Sequence, residues 1–434
     1  TQDYTITQRV LNSSGSKTYD ANTNALAADI TLSNLVSGET LNHSGTASIS
    51  SANAASYTIT NLAGITLADN AGLASNYTLT GGTHNFTVNP KVISLSGSRL
   101  YDATTDAVAS DLTTISGLVG SETLNLSGTG SVTNANVASN KTVTLGTLAL
   151  ADNSGLAANY TLSGGTHQLT INQRPLAATV ARQYDGTKTA AGSDLSSFDA
   201  LQGGETLTLS GSGTVGDENV ANGQGITLGT LALVDGTGLA SNYSLNSASL
   251  NITERVLNSS GSKTYDANTN ALAGAITLSN LVSGEALNHS GTATISSANA
   301  GSYTITNLAG ITIADGSGGT ASNYTLTGGT HNFTVNRRVV GVSGTRLYDA
   351  TTNAVASDLS THTNLVGTET LNLSGTGTIA SKNVGSNKTV SVGTLALADG
   401  SNGGLAANYT LSGGTHQLTV NQRPLNATLS RQYD

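Results

Sequence analysis

A Tyr-Asp dipeptide with a basic residue two positions before it returns through this 434-residue chain at a nearly constant interval. That interval limits the fold more than any local pattern. The segment KTYDANTNA begins at Lys17, RLYDATTDA at Arg99, RQYDGTKTA at Arg182, KTYDANTNA again at Lys263 and RLYDATTNA at Arg346. The tyrosines stand at 19, 101, 184, 265, 348 and 433, in steps of 82, 83, 81, 83 and 85 residues. One such element per period describes a tandem array of small modules. Five complete repeats are expected at 9–90, 91–173, 174–254, 255–337 and 338–422. Residues 1–8, TQDYTITQ, match the last strand of a repeat, as in HNFTVNP and HQLTINQ, and 423–434 match the start of another. There is no Met at the first position or elsewhere. The sequence therefore reads as an excerpt from a longer protein, with any signal, anchor or binding head outside it.

The residue types favour strands. Only 10% are charged, against about 25% in an average domain. Gly, Ser, Thr, Asn and Ala dominate, and short polar side chains suit turns and strands better than helices. A net charge of −9 argues against nucleic acid or an anionic membrane as partner. No apolar run approaches the ~20 residues of a spanning helix, so no membrane insertion is expected. The chain has no Cys, hence no disulfide and no thiolate metal site. Such a chain also suits export in an unfolded state.

Within a repeat, short alternating segments follow one another. TLNLS places Leu124 and Leu126 on one face; SNKTVTLGTLALAD places Val143 and Leu145 on one face but Leu148 and Leu150 out of phase. The slip falls at Gly146, and again at Gly229 and Gly393, which reads as a β-bulge or a corner. Six or seven strands per repeat are expected and no firm helix; ANTNALAADITL is the nearest helical stretch, weakened by its Asn and Thr. The Gly81-Gly82 and Gly164-Gly165 pairs read as hairpin turns. Joins such as LTINQRPLAATV leave no linker, which restricts bending. Repeats 1 and 4 are near copies, as are 2 and 5, and Tyr19 to Tyr265 gives a superperiod of 246 residues. In the resulting A-B-C-A-B-C order no repeat has its twin as a neighbour, which limits strand exchange during folding.

The repeats also serve as internal comparisons for candidate chemistry. The Tyr-Asp tyrosine and the Asn-Tyr tyrosine (Tyr77, Tyr160, Tyr243, Tyr324, Tyr409) occur in every repeat of a chain with three Phe and no Trp. They read as core anchors whose hydroxyls lie near the surface; glycan stacking would need them exposed. Three carboxylates recur as well: Asp20, Glu39 and Asp69, then Asp102, Glu122 and Asp152. Turn closure by the aspartates and a Glu paired with Lys17, Arg99 or Arg182 is the expectation, with calcium as the alternative. His84, His167, His331 and His416 share a position that is Ala248 in repeat 3; His43 and His289 share one that is Leu126, Leu209 and Leu373 elsewhere. Positions that tolerate Ala or Leu are packing positions. No G-x-S-x-G elbow or Walker loop is present. No catalytic, cofactor-binding or metal residue is therefore assigned, and the ligand-binding residues stay open. The Asn-x-Ser/Thr triplets follow from composition.

The Tyr-Asp element, GLVGSETLNLSG, NVASNKTV and GLAANYTLSGG, in fixed order, resemble the YDG/MBG-type repeat, with RQYDGTKTA nearest its pattern. Such repeats occur in large bacterial adhesins. The likeness runs to the cyclic-di-GMP-regulated biofilm matrix adhesins exported by two-partner secretion, in which the repeats are similar to a stalk. That resemblance implies a secreted, cell-surface or matrix location. It also implies exopolysaccharide, other matrix components or neighbouring cells as partners, and an outer-membrane export partner acting through other regions. The expected fold is all-β, an elongated array of small two-sheet or β-grasp-like domains, roughly 150–200 Å in all from the size scaling of each domain; a continuous β-solenoid is the runner-up. The expected role is mechanical and not enzymatic, with direct multivalent polysaccharide binding as the alternative.

Overall fold

The structure, a computed structural model, describes residues 2–433. Every regular element in them is a β-strand or a three-residue 3-10 turn. Residues up to Val180, with Ala191–Gly213 and Ile226–Ser249, form one compact unit; Ala181–Ala190, Thr214–Gly225 and the residues from Leu250 onward form the second. Repeats 1 and 2 lie in the first unit, repeats 4 and 5 in the second, and repeat 3 contributes to both.

Repeat 1 shows the plan. Its strands are β1 (Arg9–Val10), β2 (Asn12–Thr18), β3 (Asn24–Leu26), β4 (Ile30–Ser33), β5 (Asn42–Ile49), β6 (Ala55–Asn61), β7 (Ile65–Ala68), β8 (Tyr77–Thr78) and β9 (His84–Asn89). Nine strands replace the expected six or seven, because β1, β3 and β8 are too short to leave an alternation in the sequence. The main sheet has the order β4-β2-β9-β6. Its centre is a parallel pair, β2 on β9, in register from Ser13 opposite His84 to Thr18 opposite Asn89. Antiparallel β4 and β6 flank it. First and last strands thus lie side by side at the centre, the arrangement of a β-grasp sheet without its helix. β5 continues from β6 and also pairs with β3 and β7, curling the sheet over its own core. Repeats 2, 4 and 5 keep the central parallel pair in the same register. Every sheet lies within one repeat, so the continuous solenoid is not the fold.

One local expectation, the hairpin turns, needs correction. The Gly81-Gly82 and Gly164-Gly165 turns do not close hairpins: β8 runs parallel to β1 and β9 parallel to β2, so the turn carries the chain from one ladder to the next. Gly146, Gly229 and Gly393 mark a corner and not a bulge. Each has positive φ inside a tight turn, closed in repeat 2 by Leu148 N–H donating to the Leu145 carbonyl at 2.8 Å. The ANTNALAADITL stretch is β3, a 3-10 turn at Ala27–Asp29 and β4, with no α-helix.

Leu11, Ala25, Phe86 and Val88 are fully buried in repeat 1. Gly15 is there because its strand passes close under the Phe86 ring and the Asp29 carbonyl; any Cβ would collide with both. The recurring histidine is buried where the last strand meets the first. His167 Nε2–H donates to the Leu162 carbonyl at 2.8 Å and its Nδ1 accepts the Leu95 N–H at 3.2 Å. His84 and His331 use the same Nε2 bond, with Nδ1 facing the hydroxyl of Ser13 or Ser259. These are packing positions satisfied at both ring nitrogens. In each compact unit a buried cluster runs from one repeat into the next, and Leu11, Leu41 and Tyr77 form a separate small one in repeat 1.

Candidate functional site

The motif that repeats most strictly builds the contact between consecutive repeats. β2 ends at Thr18, and Tyr19 N–H donates to the Asn89 carbonyl at 2.9 Å, extending the parallel ladder by one bond. The chain then turns sharply. Asp20 accepts the Asn22 N–H at 3.1 Å, and Lys17 Nζ reaches Asp20 at 2.8 Å and the Asn22 carbonyl at 2.7 Å. Arg99 and Asp102, Arg182 and Asp185, Lys263 and Asp266, and Arg346 and Asp349 repeat that ion pair. The basic residue therefore braces its own loop. The expected pairing of Lys17, Arg99 and Arg182 with the recurring Glu is not formed, since three residues of sequence separation place the aspartate far nearer. The residue after Asp takes positive φ in every copy, as Ala21, Ala103, Gly186, Ala267 and Ala350.

The braced loop presents its tyrosine to the next repeat. Tyr19 donates its hydroxyl to Glu122 Oε1 at 2.6 Å, and Tyr160 of that same next repeat donates to Glu122 Oε2 at 2.6 Å. The two rings meet edge to face, centroids 5.4 Å apart and planes at 77°. Tyr101 and Tyr243 share Glu205, Tyr184 and Tyr324 share Glu285, and Tyr265 and Tyr409 share Glu369 in the same way, at 2.6–2.8 Å. Their centroids are 5.2–5.5 Å apart. One carboxylate thus accepts a hydroxyl from each side of the joint. Tyr160 also accepts the Val119 N–H at 3.0 Å, which fixes the loop that carries Glu122. A hydrogen bond to a charged acceptor contributes about 1.5–3 kcal/mol and an edge-to-face pair about 0.5–1.5 kcal/mol.

An asparagine seals the contact beside each clasp. Asn159, which precedes Tyr160, accepts the Ala54 N–H of the preceding repeat at 2.8 Å and donates to Asn53 Oδ1 at 3.0 Å. Asn242, Asn323 and Asn408 do the same to Val137 and Asn136, Val220 and Asn219, and Ala300 and Asn299. All four are at most 1% exposed. Arg174, Arg255 and Arg338 reach back with Nη1 to the carbonyls of Tyr101, Tyr184 and Tyr265 at 3.2–3.4 Å. A buried amide with both ends satisfied across a contact fixes register as well as proximity.

The electrostatics favour neutral tyrosines. Burial, reinforced by the Glu122 bond and charge, pushes Tyr19 up to about 12; Tyr265 and Tyr409 sit at about 12 with Glu369 as partner. Burial first and Glu205 or Glu285 second push Tyr101 and Tyr184 higher still. For Asp20, burial acts upward, but the Lys17 and Asn22 bonds outweigh it and hold the carboxyl below its usual value.

The three recurring carboxylates go to three separate places. Asp20 and its counterparts close the Tyr-Asp turn, and Glu122 and its counterparts hold the tyrosines. Asp69, Asp152, Asp235, Asp315 and Asp399 each accept an alanine N–H that opens the 3-10 turn before Asn-Tyr, at 2.7–2.8 Å. Among the described residues no three metal-ligating side chains gather at one point. His43 and His289 donate to the carbonyls of Ile30 and Ile276 at 2.9 Å, inside their own repeats. The asparagines were missed from sequence, although their recurrence at 76, 159, 242, 323 and 408 was as strict as that of the tyrosines beside them.

The arrangement holds repeats together; its polar atoms are turned toward one another. Among solved structures, the first four cadherin domains of Drosophila N-cadherin align with 70% of this chain and 85% of their own, at 7% identity and a TM-score of 0.13. The N-terminal eight immunoglobulin domains of Down syndrome cell adhesion molecule align with 97% of this chain and 63% of their own, at 9% identity and a TM-score of 0.15. At those scores neither bears on fold or function. No curated protein matches the chain. The YDG domain model, by contrast, matches five times in succession, at 4–87, 84–168, 166–251, 250–331 and 334–417. Those spans take in nearly the whole sequence and begin a few residues ahead of each basic residue that opens a repeat, and the chain therefore belongs to the YDG domain family as a tandem array of five repeats.

Proposed function

We propose that this array is the stalk of an extracellular adhesin: a spacer that projects a binding region and carries tension between a cell and its matrix. One observation carries the reading. The two tyrosines, the glutamate and the asparagine that recur along the chain meet at the joints, and each joint is built from the same carboxylate, tyrosine pair and asparagine pair. A carboxylate bonded from both sides resists bending as well as separation, which is what a spacer requires. A surface or matrix location, an outer-membrane export partner and a non-catalytic role are parts of the same proposal. The test is single-molecule stretching of the 434-residue chain. Five unfolding steps of similar length are expected, at forces lowered by substitution of a clasp glutamate. A chain that yields without resolved steps, or forces indifferent to those substitutions, would overturn the stalk reading.

A second reading rests on a different observation. Beside β7 and β8, repeat 1 carries an open groove of about 530 Å³, lined by Leu62, Ile65, Leu67, Thr78 and Leu79. Repeats 2 and 4 carry grooves of about 410 and 560 Å³ at the corresponding residues. A shallow site repeated along an array suits weak, multivalent binding of exopolysaccharide. Titration of purified matrix polysaccharides against the chain separates the readings: the stalk alone predicts no binding, and the groove predicts binding abolished by charged residues at Leu67 and Leu150.

A further inference from the structure

We propose that the residue after Tyr-Asp and the turn before the clasp glutamate form a matched pair, which decides which repeat can follow which. The turn is of two kinds. In every repeat it is closed by the glutamate N–H, which donates to the carbonyl three residues back at 2.9–3.1 Å. In repeats 1 and 4 its central residues are Ser37-Gly38 and Ser283-Gly284, with positive φ at the second, +89° in both. In repeats 2, 3 and 5 they are Gly120-Ser121, Gly203-Gly204 and Gly367-Thr368, with positive φ already at the first, +57°, +60° and +53°. Positive φ at the second position alone belongs to a type II turn, and positive φ at the first to a primed turn. The serine-first and glycine-first turns therefore offer different surfaces to the repeat before them.

The Tyr-Asp loop on the other side of the joint changes with the turn. Loops with Ala21, Ala103 and Ala267 are paired with the glycine-first turns of repeats 2, 3 and 5, and the loop with Gly186 is paired with the serine-first turn of repeat 4. Fit accounts for the pairing. A Cβ on Gly186 would stand 2.9 Å from Val282 Cγ1 and 3.4 Å from Glu285 Oε1, the oxygen that accepts Tyr184. Carbon atoms rest about 3.5–4.0 Å apart, so an alanine there pushes aside both the turn and the clasp. At the joint of repeats 2 and 3 the crowding lies on the other partner. A Cβ on Gly203 would stand 3.0 Å from Ala103 Cβ, and a serine at the first turn position would bring that Cβ. Around Gly120 and Gly367 the space is open, so their turns leave room for Ala21 and Ala267. The exclusion runs one way: an alanine loop does not seat on a serine-first turn. A repeat of the kind of 1 and 4 therefore follows only a glycine loop. The loop of repeat 1, with Ala21, is barred from the face of its near copy, repeat 4, which is where misdocking during folding is most expected. The match concerns which repeats join, and holds whatever the array is used for.

Amide hydrogen exchange in the full chain tests this joint by joint. Gly186→Ala should speed exchange at the Val220 N–H, held across the joint by Asn323, about tenfold or more. The Ala54 and Ala300 N–H groups, at the joints of repeats 1 and 2 and of 4 and 5, should keep their protection, which also shows that the repeats are folded. Ser283→Gly together with Gly284→Ser converts the turn of repeat 4 to the glycine-first kind. On that background the effect of Gly186→Ala should shrink at least about fivefold, beyond the roughly twofold within which independent sites combine. The strain of an alanine at positive φ is present on both backgrounds and cancels. The reciprocal pair lies at the joint of repeats 2 and 3. Gly203→Ser should speed exchange at the Val137 N–H, held by Asn242, and Ala103→Gly should recover at least about fivefold of it. Effects that combine independently at either joint overturn the proposal. So does Gly186→Ala without faster exchange at Val220. Either failure leaves the stalk reading standing, because the clasp itself does not depend on which repeats are allowed to meet.

Discussion

Glu122 is the residue on which the first joint turns, and its replacement by Gln gives a worked magnitude. The carboxylate accepts Tyr19 from one repeat and Tyr160 from its own, both at 2.6 Å. A Gln amide has a single oxygen. It can keep one hydroxyl as a neutral bond and turns an NH2 toward the other, whose own oxygen in Tyr160 already accepts the Val119 N–H. The loss is one charge-assisted bond of about 1.5–3 kcal/mol and the weakening of a second by about 1 kcal/mol, roughly 2–4 kcal/mol in all. Tyr19→Phe alone should cost about 1.5–3 kcal/mol, and far less once Glu122 is already Gln. Amide hydrogen exchange reads the joint locally: the Ala54 N–H, held across it by Asn159, is released when it opens. The double-mutant cycle should give a coupling of at least about 1.5 kcal/mol. Independent sites depart from additivity by only about 0.3–0.5 kcal/mol, so a coupling in that range refutes the clasp. The same cycle between Arg99 and Glu122 should fall within it, because Arg99 serves Asp102.

Alkali should open the joints before it unfolds the repeats. The clasp tyrosines have folded-state values raised from 10 to about 12. Their contribution is full below about pH 10, where the unfolded tyrosines are still neutral, and is lost as pH rises toward 12. Absorbance at the phenolate band should show two classes of tyrosine, and a single class titrating near 10 contradicts this. Gly186→Ala should destabilise its joint by about 1–3 kcal/mol. Its φ is +73°, and the new methyl would stand 2.9 Å from Val282 Cγ1. Ala267→Gly, at φ +62°, should by comparison be neutral or stabilising by up to about 1 kcal/mol in thermal unfolding; a cost like that at Gly186 would show that φ is not the reason for either residue. Asn242→Ala removes the partner of the Val137 N–H and of Asn136 Oδ1. A loss of about 1–3 kcal/mol is expected in exchange at Val137, and no loss there would mean that water replaces the side chain freely.

Much of this was legible in the sequence. The period gave the number of modules, and the small, uncharged residue types gave an all-β fold. The recurrence of Tyr-Asp and Asn-Tyr picked out the ring pair that lies at each joint. The parallel pairing of first and last strands was not legible, because β2 and β9 are about 70 residues apart and alternation says which face is buried but not which strand lies alongside. The Glu was assigned to the wrong partner for a related reason. Its true partners include a tyrosine 103 residues away, in another repeat, and charge alone pointed to the nearest motif cation. Lys17 was instead taken by Asp20, three residues on. The two-residue strands β1 and β8 are set by β2 and β9 beside them and leave no pattern of their own.

The clasp holds neighbouring repeats together, and amide hydrogen exchange at the joints measures that directly. In the wild-type chain the N–H groups of Ala54, Val137, Val220 and Ala300, each held by an asparagine of the next repeat, should be protected. A variant with Gln at 122, 205, 285 and 369 should keep its strand content and exchange faster at all four. Equal protection in the two chains, with the repeats folded, would contradict the clasp.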